Sequence, residues 1–302
     1  MTTTVAIPTA RRPQALKRLL AALPAAMGGI PAAVLVIDND PGQSARAVVE
    51  SAEVAATYLV EHQPGSAQAR NRALGEVQTP VIAFLDDDVV PAAGWLPALV
   101  APLADGAAGC GGRVVLDPSV PRPRWLDERG IGGYLTAFDL MGPARPLREG
   151  EYVVTANAAF DVEALRTIGG FDPAFGPRPG SQLVADDVHV VRELMRSGHQ
   201  VWWEPAAEVL HELPAERLHR RWLLRRAYLQ GRSDWLLDEA LLRGRRAGGA
   251  RVALSWLTHE AAGRAREGLS HPGTRFHLAT DVARTAGAVS QALRWRRARP
   301  HR

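Results

Sequence analysis

The sequence predicts an α/β fold, a mostly parallel Rossmann-like sheet flanked by helices, with an all-helical appendage at the C-terminal end. Three patterns predict it. Short apolar runs rich in β-branched residues ("TTVAIPT", "AAVLVID", "ATYLVEH", "PVIAFLD") read as buried strands. Helical patterns separate them, and such alternation builds a parallel sheet covered on both faces. After Pro214 the chain turns Arg-rich and carries no strong strand signal.

The elements follow in order. "PQALKRLLAALPAA" is a helix with Pro13 at its first position and Leu16, Leu19, Leu20 and Leu23 on one face. "GQSARAVVESA" and "SAQARNRALGEV" continue the helical series. Residues 117–150 are rich in Pro and Gly and read as an irregular excursion, a lid over a site. "VVTANAAF" resumes with a strand, and "DVEALRTIGGFD" is a helix closed by Gly169 and Gly170. "PAFGPRPGSQLVA" is a second loop. "DDVHVVRELMRSGHQ" is a helix opened by acids and ended at Gly198, and "VWWEPAAEVLHE" reads as a pair of short strands. The domain organisation expected is 1–213, divided near residue 116, followed by 214–302.

Composition narrows the function classes. The chain has 302 residues, 46% of them hydrophobic, enough for a sizeable core. The single cysteine, Cys110, excludes an internal disulfide framework and suits a reducing compartment. "MTTTVAIPTA" lacks the basic and long apolar regions of a secretory signal, and no window offers eighteen uninterrupted apolar residues. A cytoplasmic protein is expected. From Ala215 onward there are 19 Arg and 7 Asp+Glu, a net +12; the preceding 214 residues carry 17 basic and 25 acidic groups, a net −8. The acidic larger part argues against a nucleic-acid partner. The basic tail suits either cover for the acidic part, a dimer contact, or peripheral contact with an anionic membrane at its inner face.

Ligands of parallel sheets sit at the carboxyl ends of the strands. Thr9, Asp38 to Asp40 and Asp86 to Asp88 fall there. In "IAFLDDDVVP", alternate residues of an extended segment share a face, so Asp86 and Asp88 can point together and hold a hard divalent cation. A solvated acidic turn, or a cap for the helix at Trp95, is the plainer reading. On a helical wheel Asp187 shares the inward face of Val190, Val191, Leu194 and Met195, while Asp186 falls toward the polar side. Asp187 can then serve as a general base, and Asp186 as a first-turn acid favoured by the helix dipole. His211 ends a strand and can complete a metal site begun by Asp88, or be structural. In "PGSAQARNRAL", Gly65 permits close backbone approach, and Arg70 either pairs with a phosphate, braces the acidic cluster or is a surface charge.

Taken in order, "VAIPTARRP", "VIDNDP", "PGSAQARNRAL", "FLDDDVVP", "TANAAF", "GGFDPAFG", "ADDVHVVRELMRSG" and "VWWEPAAEVLHE" resemble the family-2 glycosyltransferases, which have the GT-A fold. "VIDNDPGQSARAVVE", "VLHELPAERL" and "WLLRRAYLQGRSD" look like the succinoglycan-biosynthesis glucosyltransferase branch, and carry the match to about residue 234. The resemblance makes 1–213 a catalytic domain with a nucleotide-sugar half and an acceptor half. It implies an inverting transfer of a sugar from a nucleoside-diphosphate donor, UDP-hexose favoured, to an acceptor hydroxyl of a polysaccharide precursor, glycolipid or natural product. It implies Mn²⁺ or Mg²⁺ held by Asp86, Asp88 and His211. It places Pro8, Thr9, Arg12, Asp38, Asn39, Asp40, Gly65, Arg70, Asn71, Asp86 and Asp87 at the nucleotide sugar. Asp186 and Asn157 fall on the acceptor side, and Asp187 is the base.

Three positions depart from the family pattern. Asn39 stands where many members have aspartate, Asp186 replaces a glutamate, and "GPRPGSQLVADD" lacks the glycine usual before the acidic pair. Two other readings compete with catalysis of this kind. A nucleotidyltransferase would need a Gly-rich loop after the first strand, and "PTARRPQAL" has no glycine. A module that binds nucleotide or glycan without turnover would have no need of Asp86, Asp88, Asp187 and His211 together.

Overall fold

The computed structural model describes residues 2–123, 125–126, 131–179, 181–241 and 272–298. The helical reading of 242–271 and 299–302, and parts of the expected 117–150 excursion, lie outside the described residues. The chain divides into two compact units. One comprises Met1–Asp117, Thr136–Ser181 and Asp186–Glu212; the other comprises Pro118–Leu135, Gln182–Ala185 and Leu213–Arg302.

The first unit is built on a nine-stranded sheet. Strands β1 (Thr3–Thr9), β2 (Ala32–Asp38), β3 (Ala56–Val60) and β4 (Val81–Leu85) are joined through helices α1 (Pro13–Ala26), α2 (Arg46–Glu50) and α3 (Ser66–Glu76). They form the parallel half, in the order β3-β2-β1-β4. Helix α1 starts at Pro13, whose missing N–H would have no partner there anyway, and buries Leu16, Leu19, Leu20 and Leu23.

The second half of the sheet is mixed. Its strands are β5 (Val89–Pro91), β6 (Gly109–Leu116), β7 (Arg145–Pro146), β8 (Asn157–Asp161) and β11 (Val201–His211); β9 (Pro177–Arg178) and β10 (Ser181–Gln182) pair separately. Strand β8 runs antiparallel between β4 and β6, and β11 is parallel to β6 but antiparallel to β5. Helices α4 (Trp95–Ala104), α5 (Val162–Thr167) and α6 (Asp186–Arg196) cover it. One face of the sheet packs Leu16, Leu19, Leu23, Trp95 and Leu99. The other packs Phe84, Phe160, Phe171, Leu165, Val190 and Leu194.

Two elements differ from their sequence patterns. "VWWEPAAEVLH" is one strand rather than two, with a register shift between Glu204 and Val209. Pro205 lies in that shift and has no N–H for a ladder, the usual setting for a bulge. Strand β6, "GCGGRVVL", has glycines where a strand pattern would show side chains. The packing explains them: a Cβ at Gly111 would lie 2.3 Å from Val153 Cβ, and one at Gly112 only 1.8 Å from the Ala207 carbonyl oxygen.

The second unit contains α7 (Arg220–Leu241) and α8 (Pro272–Ala298). They approach backbone to backbone, because a Cβ at Gly231 would stand 1.7 Å from the Arg284 carbonyl oxygen and one at Gly287 1.9 Å from that of Tyr228. Tyr228 and Ser290 hydroxyls meet at 2.8 Å, and Arg284 pairs with Asp234 at 2.7 Å. No helix among the described residues is long and apolar enough to cross a membrane.

Gly112→Ala is expected to destabilise the first unit strongly, because backbone rather than a flexible side chain blocks the added methyl. Gly75→Ala, on the exposed side of α3 with open space around it, is expected to stabilise by about 0.5–1 kcal/mol through helix propensity. Urea unfolding of the two variants checks both signs.

Candidate functional site

The carboxyl ends of β1, β2 and β4 come together with the end of β11. Residues Asp86 to Asp88 form a tight turn between β4 and β5, with Val89 N–H donating to the Asp86 carbonyl at 3.4 Å. The turn corrects the expectation that Asp86 and Asp88 alternate along an extended segment and share a face. Asp86 instead pairs with Arg70, while Asp87 and Asp88 share Arg12.

Asp87 is buried and faces β1. Its Oδ2 accepts from the Thr9 hydroxyl at 2.8 Å, and its Oδ1 from Arg12 Nη1 at 3.0 Å. Burial nevertheless pushes its carboxyl up to about 6, with the neighbouring aspartates adding to the rise. Asp88 is also buried. Its Oδ2 lies 2.7 Å from Arg12 Nη1 and 3.5 Å from His211 Nε2. Sheet register brings that histidine there: β11 pairs antiparallel with β5, setting His211 opposite Val89, and Glu212 N–H donates to the Asp88 carbonyl at 2.9 Å.

Asp86 pairs with Arg70, Nη2 to Oδ1, at 2.9 Å. The other end of the same guanidinium, Nη1, donates to Asp186 Oδ2 at 2.7 Å, and the Ser66 hydroxyl donates to that oxygen at 3.0 Å. Arg70 is therefore a buried link between the aspartate turn and the start of α6, with the Phe171 ring 5.8 Å from its guanidinium carbon. Burial alone would discourage its charge, but Asp86, Asp186 and Asp187 outweigh that and raise its pKa.

This geometry corrects the helical-wheel placement of Asp186. It lies in the first turn, where its side chain reaches across to Arg70 and Ser66, and it is the more buried of the pair. Asp187 is half-buried and accepts from Val188 N–H at 2.8 Å. Its surrounding protein and the adjacent Asp186 charge push its carboxyl up to about 7. A carboxyl poised there can exchange a proton near neutrality.

Several other expected ligand contacts are internal braces. Asp38 is fully buried, and its oxygens accept from Asp40 N–H, Ala45 N–H and the Tyr58 hydroxyl, so it shapes the loop after β2. Asn39 ties that loop to the one before α3, donating to the Glu61 and Gln63 carbonyls and accepting from Gly65 N–H. Gly65 has φ +134°, and a Cβ there would lie 2.9 Å from the Pro177 carbonyl oxygen. Asp40 pairs with exposed Arg11 at 3.1 Å. Pro8, half-buried, precedes Thr9 at the end of β1. Asn71 exchanges two hydrogen bonds with the backbone of Phe171.

Asn157 requires a correction. Its motif places it on the acceptor side, but it is fully buried and its amide is consumed within the core. It donates to the Arg113 and Ala207 carbonyls at 2.9 and 2.7 Å and accepts from Trp95 Nε1 at 2.7 Å. Sequence reasoning misses Ser66 as a support for Asp186; its place four residues before Arg70 on α3, one helical turn away, is the available signal.

Among the described residues no three His, Cys, Asp or Glu side chains are gathered as a metal-holding group. The Asp88–His211 pair offers a hard oxygen and an imidazole nitrogen in contact. That donor set is chemically suited to a divalent cation.

The family model for glycosyl transferase family 2 matches residues 4–169. The pre-mycofactocin glycosyltransferase of Mycobacterium tuberculosis is 28% identical over 236 residues, covering 76% of this chain and 46% of the relative. The succinoglycan biosynthesis protein ExoM of Rhizobium meliloti is 29% identical over 206 residues, covering 66% of this chain and 63% of the relative. The chain thus spans about half the length of the first of these relatives and somewhat more of the second. Among solved structures, the mannosyltransferase PcManGT of Pyrobaculum calidifontis, in complex with GDP-Man and Mn²⁺, is similar at TM-score 0.60 and 19% identity, covering 96% of this chain and 86% of its own.

Asn157→Ala is expected to destabilise by about 3 kcal/mol, since it orphans the Trp95 N–H and two buried carbonyls and each such loss typically costs about 1–3 kcal/mol. Urea unfolding followed by Trp fluorescence checks it. A loss of acceptor affinity with unchanged stability would instead return Asn157 to the acceptor side.

Proposed function

Because the chain belongs to glycosyl transferase family 2 and has the GT-A fold, we propose that it transfers a sugar from a nucleoside-diphosphate sugar to an acceptor hydroxyl, with inversion, and with help from a divalent cation. One observation carries the reading. A single buried arginine, Arg70, joins the aspartate turn to the helix end that bears Asp187, so donor chemistry and proton acceptance share one rigid frame.

In this reading Asp88 and His211 would hold Mn²⁺ or Mg²⁺, which would supply positive charge to neutralise that developing on the diphosphate leaving group. The Mn²⁺ that accompanies GDP-Man in the PcManGT complex supports that assignment. Thr9, through Asp87, fixes the floor of the diphosphate site. Asn39 and Gly65 set the loop that receives the nucleoside. Asp187 accepts the acceptor hydroxyl's proton as that oxygen forms its bond to the anomeric carbon. The bond from that carbon to the diphosphate breaks on the opposite side, and one displacement inverts the configuration. UDP-hexose is the first donor to try, and a polysaccharide precursor, glycolipid or natural product supplies the hydroxyl.

The base assignment has a pH signature. Asp187 holds its proton below about pH 7, and a protonated carboxyl cannot accept another. The value of kcat/KM is therefore expected to rise with pH, about tenfold per unit, and to level off above pH 7. Asp187→Asn is expected to lower kcat by about 10²–10⁴-fold while nucleotide affinity holds. Near wild-type turnover in that variant would remove Asp187 from the role.

The donor site is tested by thermal unfolding with UDP, GDP, TDP, ADP and CDP, each with and without Mn²⁺. A nucleotide at about 100 times its Kd stabilises by about 2.7 kcal/mol. One nucleotide is expected to give a shift that needs Mn²⁺ and is lost in Asp88→Ala. An equal shift without Mn²⁺, or in Asp88→Ala, would contradict the cation assignment.

A further inference from the structure

The two arginines at the aspartate turn are placed differently. Arg70 is 6% exposed and bonded at both ends of its guanidinium, to Asp86 and to Asp186. Arg12 is 46% exposed, and one nitrogen, Nη1, makes both of its contacts there. That nitrogen lies 2.7 Å from Asp88 Oδ2, the same oxygen that faces His211 Nε2 at 3.5 Å. It also lies 3.0 Å from Asp87 Oδ1. Arg12 therefore puts a positive charge on the oxygen that a cation held by Asp88 and His211 would use.

Two cations at contact distance from that oxygen repel each other, so the arginine opposes the metal there. Arg70 cannot leave without a buried guanidinium, bonded at both ends, being drawn out of the interior. Arg12 can. Its side chain already reaches water, and it sits just before the first residue of α1, Pro13, with non-helical backbone angles. The residue before it, Arg11, has φ +58°, an uncommon conformation for a side-chain-bearing residue and typical of loops that serve a site. The segment Ala10 to Arg12 is exposed, so a swing of Arg12 disturbs no core packing.

We propose that Arg12 is a displaceable counter-ion: it holds Asp87 and Asp88 when no donor is present, and must leave Asp88 for a divalent cation to bind. This rests on the Asp88–His211 reading above. Displaced, the guanidinium has a new anionic partner at hand in the donor's diphosphate. Metal alone then binds weakly, because it must break an existing ion pair with nothing to receive Arg12. Metal with nucleoside diphosphate binds well, because the phosphates take the arginine. By linkage the nucleotide strengthens metal binding by the same factor as the metal strengthens nucleotide binding. Free cation is thereby kept from loading the site without a donor.

The test reads Mn²⁺ binding directly, from loss of the free-ion electron paramagnetic resonance signal, in the wild type, Arg12→Gln, Arg12→Lys and Asp88→Asn. Without nucleotide, Arg12→Gln is expected to bind Mn²⁺ at least tenfold more tightly than the wild type, with Arg12→Lys between them and Asp88→Asn showing none. Adding the nucleotide that stabilises the wild type is expected to tighten wild-type Mn²⁺ binding at least tenfold, and to tighten it less in Arg12→Gln. If Arg12→Gln does not fold, the wild-type nucleotide effect and Arg12→Lys carry the test. Equal Mn²⁺ affinity in wild type and Arg12 variants, still dependent on Asp88, overturns the displacement and leaves the cation site standing. Mn²⁺ binding that ignores Asp88 in every condition overturns the cation site and the displacement with it.

Discussion

Three adjacent carboxylates cannot share one turn unless positive charge or hydrogen-bond donors stand beside them. Everything at the rim of this sheet answers that demand. Arg70 takes Asp86, Arg12 takes Asp87 and Asp88, and the Thr9 hydroxyl takes the remaining oxygen of Asp87. The arginines come from α3 and from the residue before α1, so the balance holds only while β1, β4 and both helices keep their register. The polar rim and the apolar core thus constrain each other. The parallel half of the sheet brings the strand ends level, and the charges at those ends fix how the loops close.

Arg70 also explains why the acidic pair at the start of α6 belongs to the same site. A buried guanidinium with two carboxylate partners is a costly arrangement to disrupt, since removing one partner leaves an uncompensated charge. Asp186 supplies that second partner. Asp187, next along, bonds to the Val188 N–H rather than to the arginine, and has a negative neighbour. Burial is the larger cause of its raised carboxyl and the Asp186 charge the next, while the Val188 N–H works against them. Two identical adjacent residues thus acquire different surroundings by one difference in what each touches.

Much of the first unit is legible in the sequence. The strands β1, β2 and β4 and the helix α1 announce themselves because they bury continuous runs, or one regular face, of apolar side chains. Strand β6 does not, because its glycines serve a close approach to β11 and Val153 rather than a side-chain face. The aspartate turn is legible as a site but not as a shape. A run of identical residues gives no hint of where extension stops, and the hydrogen bond from Val89 to Asp86 that closes the turn is a backbone event. Arg12 can be placed near the nucleotide, but its position on Asp88 depends on how the loop after β1 folds over.

The polar residues of the motifs divide by what they must satisfy. Asp38, Asn39, Asn71 and Asn157 stand in segments that also carry site residues, and from the sequence they have equal claim to a ligand. Their side chains hold the backbone of loops and strands distant in sequence: Asp38 holds Ala45, Asn39 holds Gly65, Asn71 holds Phe171, and Asn157 holds Ala207. Buried polar groups must find partners, and loops that meet around a site have backbone groups that no ladder satisfies. A short amide or carboxylate side chain is the compact way to satisfy them. A motif rich in Asn and Asp therefore records two needs at once, gripping a ligand and closing the loops around it. The groups left to face a ligand are the ones whose partners are themselves exchangeable. Arg12, half exposed on Asp88, is placed to exchange its partner, as the displacement proposed above requires, whereas fully buried Asn157 spends its amide on the frame.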